Sequence, residues 1–201
     1  MSTGLSPRGG IDAKNEYCDQ PILDYSFKGM LLTDDVLDEE PRVAKNSKSL
    51  EKNAEGKVNT QTVKLNNNQL SEMAGLDVTF EKIVESPEEM TWLDLSFNDF
   101  SKIDPLLLQY TKLKVLYLHG NNISNLSEVD KLAGLPNLIA LTLHGNPLED
   151  QKGYRQSLVA KLPQLKKIDF SSITKSDRQN AVTWERVYGK RKPPKKPKDD
   201  E

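Results

Sequence analysis

The chain has 201 residues, 36% apolar and 29% charged, with a mean hydropathy of −0.64. That length holds one ordinary domain or one elongated array of about five coils, and excludes two large catalytic domains. Its 28 Lys and Arg against 30 Asp and Glu leave a net charge of −2, so no global field draws in nucleic acid or an acidic membrane, and the single cysteine, Cys18, excludes an internal disulfide framework.

Residues 1–59 are poor in aliphatics apart from two islands, Ile22-Leu23-Asp24-Tyr25-Ser26-Phe27 and Met30-Leu31-Leu32. An acidic stretch from Asp34 to Glu40, then Pro41 and a Lys/Ser/Asn/Glu-rich run to Gly56, solvates rather than packs. This segment is expected to be largely disordered alone, with docking through its apolar islands as the alternative. The first fifteen residues lack the apolar stretch of a signal peptide and no run approaches bilayer-spanning length. The expected location is the cytoplasm, without membrane contact.

From residue 60 an eleven-residue pattern, Leu-x-x-Leu-x-Leu-x-x-Asn-x-Leu, can be laid down four times. The clearest copies run from Leu113 to Ile123 and from Leu138 to Leu148. A third runs from Met90 to Phe100, and the weakest has Thr60 ahead of Val63, Leu65, Asn68 and Leu70. A last strand, Leu165-Lys-Lys-Ile168-Asp-Phe170, keeps the apolar half and loses the Asn. Equivalent positions 65, 95, 118, 143 and 170 step by 30, 23, 25 and 27 residues. This is the leucine-rich repeat signature. The Leu-x-Leu spacing turns one row of side chains inward from a strand, and stacked coils complete each other's core. Asn68, Asn98, Asn121 and Asn146 fall where the chain leaves each strand, and their amides are expected to satisfy backbone groups as a ladder.

The return halves read as short helices. Met73, Leu76, Phe80, Ile83 and Val84 follow helical spacing, whereas Ile123, Leu126, Val129, Leu132 and Leu135 recur every three residues, the 3₁₀ period. Residues 154–160 look helical, and Thr174 with Asp177 opens a terminal helix whose Ala181, Trp184 and Tyr188 share a face and cover the open end. The expected fold class is therefore α/β: a solenoid with a short parallel sheet on the concave face, a helical and 3₁₀ convex side, and a C-terminal helical cap. The expected domains are the N-terminal segment 1–59, the repeat domain 60–189 with its cap at about 149–189, and a tail at 190–201.

Tyr154-Arg155, Leu162-Pro163-Gln164-Leu165 and Ile168-Asp169, after the repeat end Asn146-Pro147, resemble the C-terminal cap of SDS22-like leucine-rich repeat proteins. The resemblance spans about residues 22–185. It implies a cytoplasmic protein without catalytic activity; the proteins so resembled bind other proteins and include phosphatase regulators, a splicing-particle subunit and an axonemal dynein light chain. It names no partner.

No Gly-rich phosphate loop, nucleophile with a base partner, or metal spacing is present, so no enzyme activity, cofactor, metal or small-molecule substrate is expected. The two histidines, His119 and His144, occupy the same place in adjacent coils and should lie about 5 Å apart. The expected partner site is the concave face, at Trp92, Asp94, Phe97, Tyr117, His119, Thr142 and His144. An outward Trp beside a Tyr, with polar edges, has the composition enriched at binding hot spots. The run from Lys190 to Lys198 carries six cations and three prolines, reads first as a solvated tail, and lacks the interleaved aromatics that nucleic-acid stacking requires. The expected function is a protein-binding module; the alternative is a structural part of a ciliary or microtubule assembly, held by the array and its tails.

Overall fold

In a computed structural model, residues 21–43 and 50–188 are described. Cys18 and the Lys190–Lys198 run lie outside the described residues. Seven strands form one sheet in chain order: β1 (Ile22–Asp24), β2 (Thr62–Lys64), β3 (Trp92–Asp94), β4 (Val115–Tyr117), β5 (Ala140–Thr142), β6 (Lys167–Ile168) and β7 (Ser171–Ser172). The first six are parallel, and β7 returns antiparallel on β6. The register stacks Leu23, Val63, Leu93, Leu116, Leu141 and Ile168 in one row. Behind it run Tyr25, Leu65, Leu95, Leu118 and Leu143, and both rows are buried. No coil closes a core alone, because each row needs the neighbouring coils to cover it.

The convex side is built from α1 (Leu76–Ile83) and from 3₁₀ turns at Pro87–Glu89, Pro105–Gln109, Leu126–Gly134 and Pro147–Asp150. Three of those turns begin with proline, whose missing N–H costs nothing in a first turn. The asparagines hold the bend between strand and return. Each side-chain amide donates to the strand carbonyl of its own coil and of the coil before, as Asn121 does to Leu118 (2.9 Å) and Leu95 (3.1 Å). Each amide oxygen accepts from a backbone N–H of the preceding coil: Asn98 from Leu70, Asn121 from Phe100, Asn146 from Ile123, and Asn68 from both Lys28 and Met30.

The cap consists of α2 (Tyr154–Lys161), β7 and α3 (Lys175–Tyr188). Thr174 and Asp177 form the capping box, with Asp177 N–H donating to Thr174 Oγ1 at 3.1 Å and Thr174 N–H donating to Asp177 Oδ2 at 2.8 Å. Arg155 donates to both oxygens of Asp177 at 3.0 and 3.1 Å, and holds that carboxyl well below the usual range. The Arg178 guanidinium donates to the Leu165 carbonyl. Gly153, at φ +82°, leaves room for Trp184, whose ring would lie 2.0 Å from any Cβ there. Among the described residues no helix is long and apolar enough to cross a membrane.

Two expectations need correction. The array begins at residue 22 instead of 60, because the islands read as parts of a disordered segment build a further coil: Leu23, Tyr25, Met30 and Val36 enter the common core, and Thr33–Asp38 forms a 3₁₀ turn. Asn68 replaces the ladder residue that this coil lacks by bonding back to Tyr25, Lys28 and Met30. Phe170, placed inward by the repeat period, is instead 51% exposed. Asp169 and Phe170 both take positive φ (48° and 62°) as the chain reverses into β7, and this turns the ring out onto the concave side.

Candidate functional site

Side chains that alternate with the core rows form the concave face. The register sets Trp92 beside Val115, and Asp94, Tyr117 and Thr142 in one line. Expected to stand open, much of this line is buried: Trp92, Asp94, Val115, His119 and Thr142 are all under 10% exposed. Close strand spacing of about 4.8 Å makes neighbouring large side chains cover one another. The Lys64 ammonium lies 5.4 Å over the Trp92 ring, and Tyr117 meets that ring edge-on at 5.7 Å. The Trp92 Nε1 is buried without a hydrogen-bond partner.

Asp94 accepts from the Ser96 N–H (3.0 Å) and hydroxyl (2.6 Å), an arrangement that bends the chain out of β3. Burial raises its carboxyl above the ordinary value, against the lowering effect of those two hydrogen bonds. The same turn recurs at Asp24, which accepts from Ser26 N–H at 2.9 Å.

The other expected residues converge toward the C-terminal half. His119 and His144 stack with centroids 4.7 Å apart and planes 9° from parallel. His119 Nδ1 shares a 2.7 Å hydrogen bond with the Thr142 hydroxyl. Burial, then the neighbouring His144, push its imidazole down to about 4, so it is neutral near pH 7. His144 Nδ1 lies 3.2 Å from Asp169 Oδ1, which also accepts the Leu143 and His144 backbone N–H groups at 2.7 and 3.0 Å. The second oxygen of Asp169 accepts from the Tyr154 hydroxyl at 2.8 Å, and burial with the adjacent carboxylate raises that phenol above its ordinary value.

Phe97 meets His119 edge-on at 5.0 Å. Phe170, absent from the expected set, meets Tyr117 at 5.4 Å and both imidazoles at 5.6 Å. Trp92, Tyr117, His119, His144, Phe97 and Phe170 therefore form one connected aromatic cluster. Asp94 lies in line with it by register, opposite Tyr117. Sequence reading missed Phe170 because its spacing imitates an inward leucine. The tight turn at Asp169-Phe170 is decided by the end of the array. Among the described residues, no group of three or more His, Cys, Asp or Glu is placed to hold a metal ion.

A leucine-rich repeat family profile matches residues 61–192. The chain is 46% identical to leucine-rich repeat-containing protein 51 of Macaca mulatta, over 88% of this chain and 91% of that one. It is 47% identical to the Bos taurus protein of that name, over 86% and 89%. Among solved structures, it is similar to a chain of the Drosophila melanogaster SNF/U2A' complex, with a TM-score of 0.53 and 28% identity over 64% of this chain and 70% of that one. Taken with the six parallel coils and their asparagine ladder, these likenesses show that the chain belongs to the leucine-rich repeat family, within the group of leucine-rich repeat-containing protein 51.

Proposed function

We propose that the chain is a non-catalytic protein-binding module of the cytoplasm that takes a protein partner on the C-terminal half of its concave face. The observation that carries this reading is the aromatic cluster. Phe97 and Phe170 are each 51% exposed, and they stand on a sheet whose register and ladder hold them before any partner arrives. Rigid aromatic side chains in a preorganised frame lose little freedom on binding, which is why such positions dominate interfaces. The solved relative with the same fold is part of a protein complex, in keeping with this reading.

Calorimetry with a partner obtained by pull-down tests it. Phe97→Ala and Phe170→Ala should each weaken binding by about 1–2 kcal/mol, with circular dichroism unchanged. Trp92→Ala is a poorer probe, because that side chain is 6% exposed and its loss removes packing as well as contact area. Wild-type affinity in both phenylalanine variants would move the site off this face. A narrower role in a ciliary or microtubule assembly draws its support from the cationic Lys190–Lys198 run, and cosedimentation with microtubules before and after removal of residues 190–201 tests it.

A further inference from the structure

Leu31 and Leu32 are 59% and 63% exposed, although they sit between Met30 and Val36, which enter the core. Their backbone is nonetheless fixed. Asp35 Oδ2 accepts the N–H groups of both, at 2.8 and 2.9 Å, as the chain enters the Thr33–Asp38 turn. Thr33 then ties that turn to the next coil: its hydroxyl donates to the Ala74 carbonyl at 3.1 Å, and its carbonyl accepts from the Thr79 hydroxyl at 3.2 Å. Gly75, at φ +86°, permits this close approach, since a Cβ there would lie 2.9 Å from Thr33 Oγ1. On α1, Leu76, Phe80 and Ile83 turn inward while Val78 is left 52% exposed.

The turn and α1 thus wall a groove of about 430 Å³ on the convex side of the first two coils, with Leu31, Leu32, Ala74 and Val78 as its apolar lining. Binding clefts commonly measure about 300–1,000 Å³. Core packing does not account for the two leucines and Val78, and apolar side chains gathered in a groove mark interaction sites. The margin is acidic. Asp34 and Glu72 line the groove with Lys82, and Asp77, Glu81 and Glu85 continue the acidic surface along α1. Among the described residues none of these five carboxylates is ion-paired.

We propose that this groove is a second docking surface, for a short amphipathic helix of a protein partner that carries aliphatic side chains on one face and Lys or Arg at its margins. Both walls are helical and offer no strand edge, so recognition falls to side chains, as when a helix lies in a groove. The eight residues of α1 span about 12 Å, enough to face about two turns of such a helix and two or three of its apolar anchors. Its cations meet Asp34, Glu72 and the carboxylates of α1. The chain's own Lys190–Lys198 run is basic but has no apolar residue except proline, so it would leave the leucines unfilled. This surface lies on the helical side of the array and stands independently of the concave-face reading.

The test is a fluorescence-anisotropy titration of the full chain with a labelled, amidated, alanine-based helical peptide of about four turns. The peptide carries three leucines on one face and lysines along both sides of that face. A scrambled peptide of the same composition and a version with Glu for every Lys serve as controls. The basic amphipathic peptide is expected to bind saturably and to weaken with added salt, and both controls to bind more weakly. Leu31→Ala, Leu32→Ala and Val78→Ala, all at exposed positions, should each weaken it by about fivefold with unchanged circular dichroism. Phe97→Ala, and removal of residues 1–20, should leave it unchanged. No saturation, equal binding by either control, or wild-type affinity in all three alanine variants would overturn the assignment. A several-fold gain on removal of residues 1–20 would overturn it too, giving the groove to the chain's own N-terminal segment. None of these outcomes bears on the concave face, which Phe97→Ala and Phe170→Ala test with the whole partner.

Discussion

The two ends of the sheet face opposite chemical problems and solve them with opposite charges. Inside the array, the N–H groups after each strand donate to carbonyls of the next coil, as Leu65 does to Asp94 and Phe97 to His119. At the N-terminal end this leaves carbonyls without a preceding coil, and Arg42 meets them: its backbone N–H donates to the Asp24 carbonyl at 2.6 Å, and its guanidinium cation donates to the Ser26 carbonyl at 3.4 Å. At the C-terminal end it leaves N–H groups without a following coil, and carboxylates meet them, Asp169 at Leu143 and Glu149 at Gly145. Ahead of the strands the direction reverses, with the Thr91, Lys114, Ile139 and Lys166 N–H groups donating to the preceding coil, so this polarity belongs to the stretch that follows the strands. In that stretch each end demands its own type of side chain.

The ends also differ in how much core they contribute. The first coil buries Leu23, Tyr25, Met30 and Val36, whereas α3 buries only Ala181 and holds itself by polar contacts. The largest expected effect follows: a chain beginning at Leu50 should lose on the order of 5 kcal/mol or more, because about 1.5–3 kcal/mol of burial disappears with each large apolar side chain. A chain ending at Ile173 should lose less. Urea melts of the two truncations compare them directly, and a greater loss from the C-terminal cut would reverse the comparison.

Asp169→Ala should cost about 2–3 kcal/mol, since it strands the Leu143 N–H and the partly buried Tyr154 hydroxyl at once. Asn121→Ala, in the middle of the ladder, should cost about 1–3 kcal/mol, whereas the exposed Asn122→Ala beside it should cost almost nothing. Equal melting shifts for these two would show that the middle of the array is not held by the ladder.

A smaller effect concerns pH. His119 titrates near 4 in the folded chain against 6.5 when free, so the unfolded chain binds the extra proton between those values. Its contribution is full above about 6.5 and is lost as pH falls toward 4, by about 1–3 kcal/mol for the complete shift. Denaturant melts at several pH values should show that loss, and His119→Gln should flatten the part belonging to this residue. The smallest change is expected for Arg42→Ala, below about 1 kcal/mol, since its guanidinium contacts are partly open to water while its backbone hydrogen bond is retained.

The sequence by itself determined the strand rows, the ladder asparagines and the helices of the cap. Those depend on local periods, on Leu-x-Leu alternation, and on a capping pair three residues apart. The first coil carried a signal too: Leu23-Asp24-Tyr25-Ser26-Phe27 repeats Leu93-Asp94-Leu95-Ser96-Phe97, with the same Asp-to-Ser hydrogen bond. It was obscured because Lys28 stands where the ladder residue belongs, and the missing amide comes from Asn68, forty residues away. Only the tertiary structure decided the concave face. Burial of Trp92 depends on Lys64 and Tyr117 from adjacent coils, and the neutral state of His119 depends on its surroundings. Phe170 turns outward because no parallel coil follows β6, so the chain reverses there into β7. A period in the sequence reports which residues are equivalent within an array, but it cannot register where the array stops, and at that stop the final aromatic residue leaves the core for the surface.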